Sequence, residues 1–395
     1  MAALPAQLEH SKTVDAIHAS TVAASIVRHA PQLTTSIIGH ECTRFLWYTF
    51  RWAVMPDGTP RVLRKIHSGK IENARFVVEL RIAGCQVYDE APALEFTAVG
   101  GHLLAKLGAV AENVPEAPKT PHVVITEALN ESEFLEVKPN GVSATPRMQA
   151  EMERKFGSVE GLAARPMRSD QAQAEMEMAG LERTLYLAVN KNTDELYSER
   201  IRRDSAKGKA LLQRAKLVVL SKEPPEKCDG CGVCVYEGVC KGTQLPDVTC
   251  RSCCHATPEI KDGERVNLWK CEKHGRYLVR DDQEKACADH LYIPSLIGGA
   301  EVMDGGQDAQ GDWVMYRKPD GTTFVNSRQP GAYTSTELRM APWALVGAGT
   351  IQRLKETVGA VITEVEPLEE GAARKKWVAE QVNINTNRYE IKEGI

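Results

Sequence analysis

LERTLYLAVNKNTDELYSERI, residues 181–201, holds two strands of different character. RTLYLAVN is apolar almost throughout and predicts a strand buried on both faces of a sheet. ELYSERIRRD, 195–204, alternates and predicts an amphipathic strand closed by a turn. Helical patterns flank the pair, with RSDQAQAEMEMAGL (168–181) before it and SAKGKALLQRAKLVVLSK (205–222) after it. Further upstream, SATPRMQAEMERKFGS (143–158) and ENARFVVELRIAG (72–84, stopped by Gly84) predict helices. CQVYDE (85–90) predicts a short strand, and strand-like pattern runs from Ala91 to Thr126 around the pair Gly100 and Gly101. GHECTRFLWYTFRWAV (39–54) is aromatic and apolar at mixed spacing and fits no single period. Helices alternating with strands make the chain α/β.

The chain has 395 residues, 43% hydrophobic and 26% charged, so it can bury a large core and form two or three domains. Forty-nine Lys and Arg stand against 53 Asp and Glu, and a net charge of -4 excludes a uniformly basic nucleic-acid coat. No stretch approaches eighteen uninterrupted apolar residues, and MAALPAQLEHSKTVDAIHAS lacks the basic and apolar regions of a secretory signal. A cytoplasmic protein with no membrane partner is expected.

Nine of eleven cysteines fall between Cys228 and Cys287, while Cys42 and Cys85 stand alone. In a reducing compartment such a dense Cys/His run predicts metal, because thiolates are soft ligands and disulfides do not persist there. The first group is Cys228-x2-Cys231-x2-Cys234-x5-Cys240, whose repeated short gap suits the corners of an iron-sulfur cluster, with zinc as the competing occupant. The second is Cys250-x2-Cys253-x17-Cys271-x2-His274, the spacing of two zinc knuckles that a loop brings together. Cys287 and His290 are an alternative second pair, and Cys254 and His255 are read as neighbours of the site. With four protein ligands, such a zinc site is structural.

GHECTRFLWYTFRWA, the 181–201 block and the later Cys-x2-Cys-x5-Cys resemble bacteriophage proteins of the PD-(D/E)XK superfamily. Relatives of these are the RecB-like domains and the iron-sulfur nucleases of CRISPR adaptation, and the resemblance spans roughly residues 35–295. It implies a nuclease-like core, a central mixed sheet flanked by helices. It further implies a 4Fe-4S cluster that staples the two ends of this core through Cys42, Cys231, Cys234 and Cys240. Cys228 is then spare, although local spacing alone makes it the fourth ligand.

The resemblance also implies a lost active site. The family's His falls on Lys70, its Asp on Gly108, its Glu-x-Lys on Ile125 and Glu127, and its Gln-x3-Tyr on Gln171 and Glu175. No Asp lies between Asp89 and Asp170, so no catalytic residues are expected. One local Glu-x-Lys survives, Glu136-Val137-Lys138, read as an exposed loop pair. For it to hold Mg²⁺, Glu95 or Glu112 would have to stand in for the Asp.

Between Glu199 and Lys216 the sequence concentrates Arg202, Arg203, Lys207, Lys209, Arg214 and Lys216, a patch that can neutralise phosphates without reading sequence or can be a plain solvated face. The expected organisation is an N-terminal helical segment (1–30), a nuclease-like core with the cluster (31–241) and a zinc-binding module (242–295). A β-hairpin region (296–345), marked by WVMYRKPDGTTFVNS at 313–327, and C-terminal helices and tail (346–395) follow. Three functions are open at this point. The first is an inactive nuclease-fold protein binding DNA or a protein partner. The second is a Mg²⁺-dependent RecB-like exonuclease of phage recombination, and the third a protein effector acting on host machinery or defence.

Overall fold

The computed structural model describes residues 11–138, 161–228, 234–261, 266–341 and 346–349, with the backbone of 390 and 391. The expected helix at 143–158, Cys231 and nearly all of the expected C-terminal helices and tail (346–395) lie outside the described residues.

In chain order the first part holds α1 (Lys12–Ala23), β1 (Ser25–Ile26), β2 (Leu33–Thr34), α2 (Thr35–Ile38), α3 (Thr43–Phe50) and α4 (Pro60–Ile82). Strands β3 (Gln86–Tyr88), β4 (Glu95–Ala98), β5 (Leu103–Lys106), β6 (Ala109–Glu112) and β7 (His122–Leu129) follow. Next come α5 (Glu131–Val137), α6 (Pro166–Ala179), β8 (Arg183–Asn190), β9 (Leu196–Arg202), α7 (Ser205–Leu220) and α8 (Glu237–Cys240).

The central sheet has the order β3-β6-β7-β8-β9. It is mixed, because β7 and β8 pair in parallel while the other three pairs are antiparallel. Helices cover both faces. On one, Val123, Ile125, Tyr186 and Ala188 pack with Ala172 and Met176 of α6. On the other, Ala109, Ala111, Val124 and Leu185 pack with Val77 of α4. Strand β8 is thus buried on both sides, as its apolar run predicts, and β9 alternates as an edge strand does. A second sheet, β2-β5-β4, lies beside it.

Helix α4 begins at Pro60, well before the expected start at residue 72. Only Leu63, Phe76 and Val77 of its 23 residues are buried, so most of the helix carries no apolar stripe for periodicity to detect. The aromatic stretch at 39–54 escaped for a different reason. Its helix α3, with Leu46, Trp47, Tyr48 and Phe50 buried, has only eight residues, too short a run within the stretch for a helical period to stand out. Glu136 and Val137 belong to the last turn of α5, with Lys138 as its C-cap, so the reading of a loop pair is corrected. Asn130 and Glu133 form a reciprocal capping box at the start of this helix.

The cysteine-rich region adds a three-stranded sheet of β10 (Ala256–Glu259), β11 (Leu268–Cys271) and β12 (Arg276–Tyr277), with α9 (Arg280–Lys285) beside it. One hydrophobic cluster crosses the expected boundary at residue 242: Leu33, Trp47, Phe50 and Leu103 pack with Trp269, Leu278 and Ile293. Backbones also meet closely across it. A Cβ on Gly242 would come within 2.4 Å of the Gly298 carbonyl carbon, and its φ of +72° independently favours glycine. Beyond lie β13 (Glu301–Asp308), β14 (Gly311–Arg317), β15 (Thr323–Asn326) and α10 (Ser335–Met340). The expected hairpin is β14–β15, and β13 makes it three-stranded. EVMDGGQD is exposed at every position, so no buried face announces that strand.

Candidate functional site

Three groups of chemically capable residues stand out, and they lie on different parts of the fold. The first surrounds Cys42, the N-cap of α3. Burial opposes ionisation of this thiol. The Phe45 and Arg44 amides at the start of the helix and the thiol and backbone of Cys228 overcome that, and hold it below the ordinary cysteine value. Arg214 fixes the loop on which Cys42 stands by donating to the carbonyls of Ile38 (3.0 Å), His40 (2.6 Å) and Glu41 (3.2 Å) and to Thr43 Oγ1 (3.0 Å). Cys234 and Cys240 pack against the cluster that contains Trp47, Tyr48 and Tyr236, and the Tyr48 hydroxyl faces Cys240. The fold therefore brings Cys42 to Cys228 and sets Cys234 and Cys240 against the same aromatic cluster, thiols of a kind that suit a soft cluster. Cys228, set aside as spare, is in contact with Cys42.

The second group rings a cavity of about 10 Å³ lined by Cys250, Cys253, Cys271, His274, Cys287 and His290, among others. Burial, then the neighbouring Cys253, Cys287 and Cys271, push the Cys250 thiol up to about 12. His274 Nε2 lies 3.6 Å from Cys287 Sγ and 3.6 Å from Asp289 Oδ2. His290 is buried, with Nε2 2.9 Å from the Thr249 carbonyl and 3.2 Å from Ser252 Oγ. So both expected knuckles and both alternative ligands meet at one place. Two arginines that sequence reasoning missed enclose the region. Arg51 donates to the carbonyls of Arg251 (3.4 Å) and Ala256 (3.0 Å), and Arg251 donates to those of Phe50 (3.1 Å) and Pro31 (2.8 Å).

The third group surrounds Glu127, one of the positions on which the resemblance places an active-site residue. Glu127 on β7 is 8% exposed and is held by Arg168 Nε (2.8 Å), Tyr186 Oη (2.7 Å) and Arg165 Nη2 (3.5 Å). Burial would raise its carboxyl. The Arg168 charge and the hydrogen bonds from Arg168 and Tyr186 bring it below the usual carboxylate value. Arg168 also donates to Gln171 (2.6 Å), Gln171 donates to Glu175 (2.7 Å), and Thr35 donates to Glu175 (2.9 Å). Burial, only partly offset by the Gln171 and Thr35 hydrogen bonds, pushes Glu175 up to about 7.

The remaining expected positions do not join this network. Lys70 is exposed on α4. A side chain at Gly108 would meet Asn73 of α4 at 3.3 Å, and Thr126 donates to the same Asn73. Ile125 packs with the α6 cluster and Glu127 bonds to Arg168 of α6, so Gly108 looks to one face of the sheet and the Ile125/Glu127 pair to the other. The surviving Glu136 pairs with Arg165 (3.4 Å) and Lys138 with Glu195 (2.7 Å), so neither reaches the other.

Of the basic patch, Arg203 is committed to Glu177 and Glu182, Lys207 to Asp170, and Arg214 to the Cys42 loop. Arg202, Lys209 and Lys216 are exposed and have no ion-pair partner among the described residues.

No known protein family matches the chain by sequence, and no curated protein does. Among solved structures it is similar to the alkaline exonuclease LHK-Exo from Laribacter hongkongensis. The TM-score is 0.29 at 10% identity, over 52% of this chain and 90% of that one. LHK-Exo in complex with dAMP gives 0.31 at 10% identity over 52% and 90% of the two chains, and SSO0001 gives 0.32 at 11% over 58% and 96%. Likenesses this weak fix neither fold nor chemistry. The chain itself is mixed α/β, with sheets flanked by helices, and among the described residues no helix is long and apolar enough to cross a membrane.

Proposed function

We propose that this is a nuclease-like protein of phage type that binds DNA without cutting it, its fold held by a 4Fe-4S cluster and a structural zinc. The observation that carries the reading is the state of Glu127. The resemblance puts Glu127 where a water-orienting Lys is needed, and both its oxygens face Arg168, Arg165 and Tyr186, so it supplies neither that cation nor a free ligand for Mg²⁺. The cluster, which supplies a rigid thiolate staple, is assigned to Cys42 with Cys231, Cys234 and Cys240. DNA contact is assigned to Arg202, Lys209 and Lys216, which extend from the end of β9 along α7. The test is fluorescence anisotropy with labelled single- and double-stranded DNA, paired with a cleavage assay in Mg²⁺ and Mn²⁺. Salt-sensitive binding with intact DNA supports the reading, and cleavage or the absence of binding removes it.

A second reading, an effector that docks on a protein, is favoured by one feature. Thr43, Leu217, Val218, Leu220, Ser221 and Pro225 line an open groove beside the Cys42 loop, and Leu217 and Leu220 are exposed. Binding that survives high salt and is lost in Leu217→Asp with Leu220→Asp would select it.

A further inference from the structure

Arg51 and Arg251 are 3% and 1% exposed, and neither has an ion-pair partner among the described residues. Backbone carbonyls, Gln283 Oε1 (2.8 Å) and aromatic faces receive most of their donors and their charge, while Arg51 Nε is buried with no hydrogen-bond partner among the described residues. The Arg251 guanidinium lies 3.8 Å from the Trp52 ring centre and 4.6 Å from that of Trp269. Hydrogen bonds and ring contacts soften the burial of the two cations, and the charges around them are mixed: Cys253 and Glu223 act on Arg51, and Glu284 and the further cation Arg280 act on Arg251. Both arginines bracket the Cys250–Cys253 turn. Arg251 stands inside it, and Arg51 grips the Arg251 carbonyl within the turn and the Ala256 carbonyl just beyond it.

We propose that Cys250, Cys253, Cys271 and Cys287 bind one Zn²⁺ as a tetrathiolate, and that Arg51 and Arg251 are its counter-charges. On binding, four thiols each release a proton to solvent and four Zn–S bonds form, with no change of oxidation state. The product carries a charge of -2, which Arg51 and Arg251 help to offset. The four thiols lie within electrostatic reach of one another, whereas His274 meets Cys287 and Asp289 at the edge of that set. The cavity of about 10 Å³ between these thiols suits an atom-sized guest. His274 then serves from outside, its Nε2 placed between Cys287 Sγ and Asp289 Oδ2 as a hydrogen-bonding neighbour of the fourth thiolate. His290, whose Nδ1 has no hydrogen-bond partner, is the competing nitrogen ligand. The inference does not depend on whether the protein binds DNA.

The test uses the full chain. Zinc-edge X-ray absorption on the unaltered protein counts the sulfurs directly: an all-sulfur shell of four is expected, and a mixed sulfur–nitrogen shell overturns the assignment. Zinc retention against EDTA then separates the variants. Cys287→Ser should lose metal roughly tenfold faster, and His274→Asn should still bind one zinc through four sulfurs. Loss of zinc in His274→Asn with retention in Cys287→Ser overturns it. Arg51→Met should weaken zinc retention roughly tenfold while the sulfur shell stays at four. Unchanged retention would remove the counter-charge role. If a variant fails to fold, the absorption measurement on the parent chain still decides the ligand set.

Discussion

Arg168 Nε stands 2.8 Å from Glu127 Oε1, so the buried carboxylate of β7 is bound by a cation from its own chain. With Mg²⁺ or Mn²⁺ the protein should leave linear single- and double-stranded DNA uncut. The triple change Gly108→Asp, Ile125→Glu and Glu127→Lys should not revive cleavage, because residue 108 looks toward Asn73 and residues 125 and 127 toward α6. The control is Glu136→Ala with Lys138→Ala: cutting by the parent and none by this variant would make the protein an enzyme with a displaced site.

The same network should matter to stability. Glu127→Ala leaves Arg168 and Arg165 facing each other over a cavity, and a loss of about 2–3 kcal/mol is expected by urea denaturation. Gln at this position keeps the acceptor and should cost less.

Glu175 sets a pH dependence. Its native proton affinity is raised to about 7 from the ordinary 4.5, so the folded state keeps a proton that the unfolded chain has already released. Stability is therefore full below about 4.5, falls as pH rises toward 7, and levels off above that, by up to about 3 kcal/mol. Glu175→Gln preserves an acceptor for Thr35 and Gln171 and should flatten that window. Thermal denaturation of both proteins at pH 5 and pH 8 would reveal it, and parallel pH profiles would contradict it.

Binding to DNA should separate two kinds of arginine. Removing Arg202, Lys209 or Lys216 should weaken binding equally across sequences and lower the slope of log K against log salt by about one each. Arg214→Ala should act on the fold, since four acceptors around the Cys42 loop lose their donor.

Purified without air, the protein should be brown. Cys42→Ala should bleach it and Cys228→Ala should not. The reverse result would hand the fourth corner to Cys228, which already touches Cys42.

The central strands were legible because β8 is apolar on both faces and β9 alternates. That Cys250, Cys253, Cys271 and His274 would line one cavity was legible because each pair's spacing is local. What escaped was set by distant contacts. Nothing near Arg51 foretells a site 200 residues away, and only the closed fold pairs it with the carbonyl of Arg251. Arg168 looked like an ordinary first-turn residue until β7 brought Glu127 beside it.

The cross-linking of Arg51 and Arg251 also bears on how the chain is made. A ribosome delivers Trp47, Phe50 and Trp52 some two hundred residues before Arg251 and Trp269, the groups that cover them. During that interval the aromatic face lacks part of its native cover, and long-range closure of this kind is slow. Nascent chains halted before residue 250 should therefore recruit chaperones through that face, and release from them should coincide with emergence of the second cysteine group.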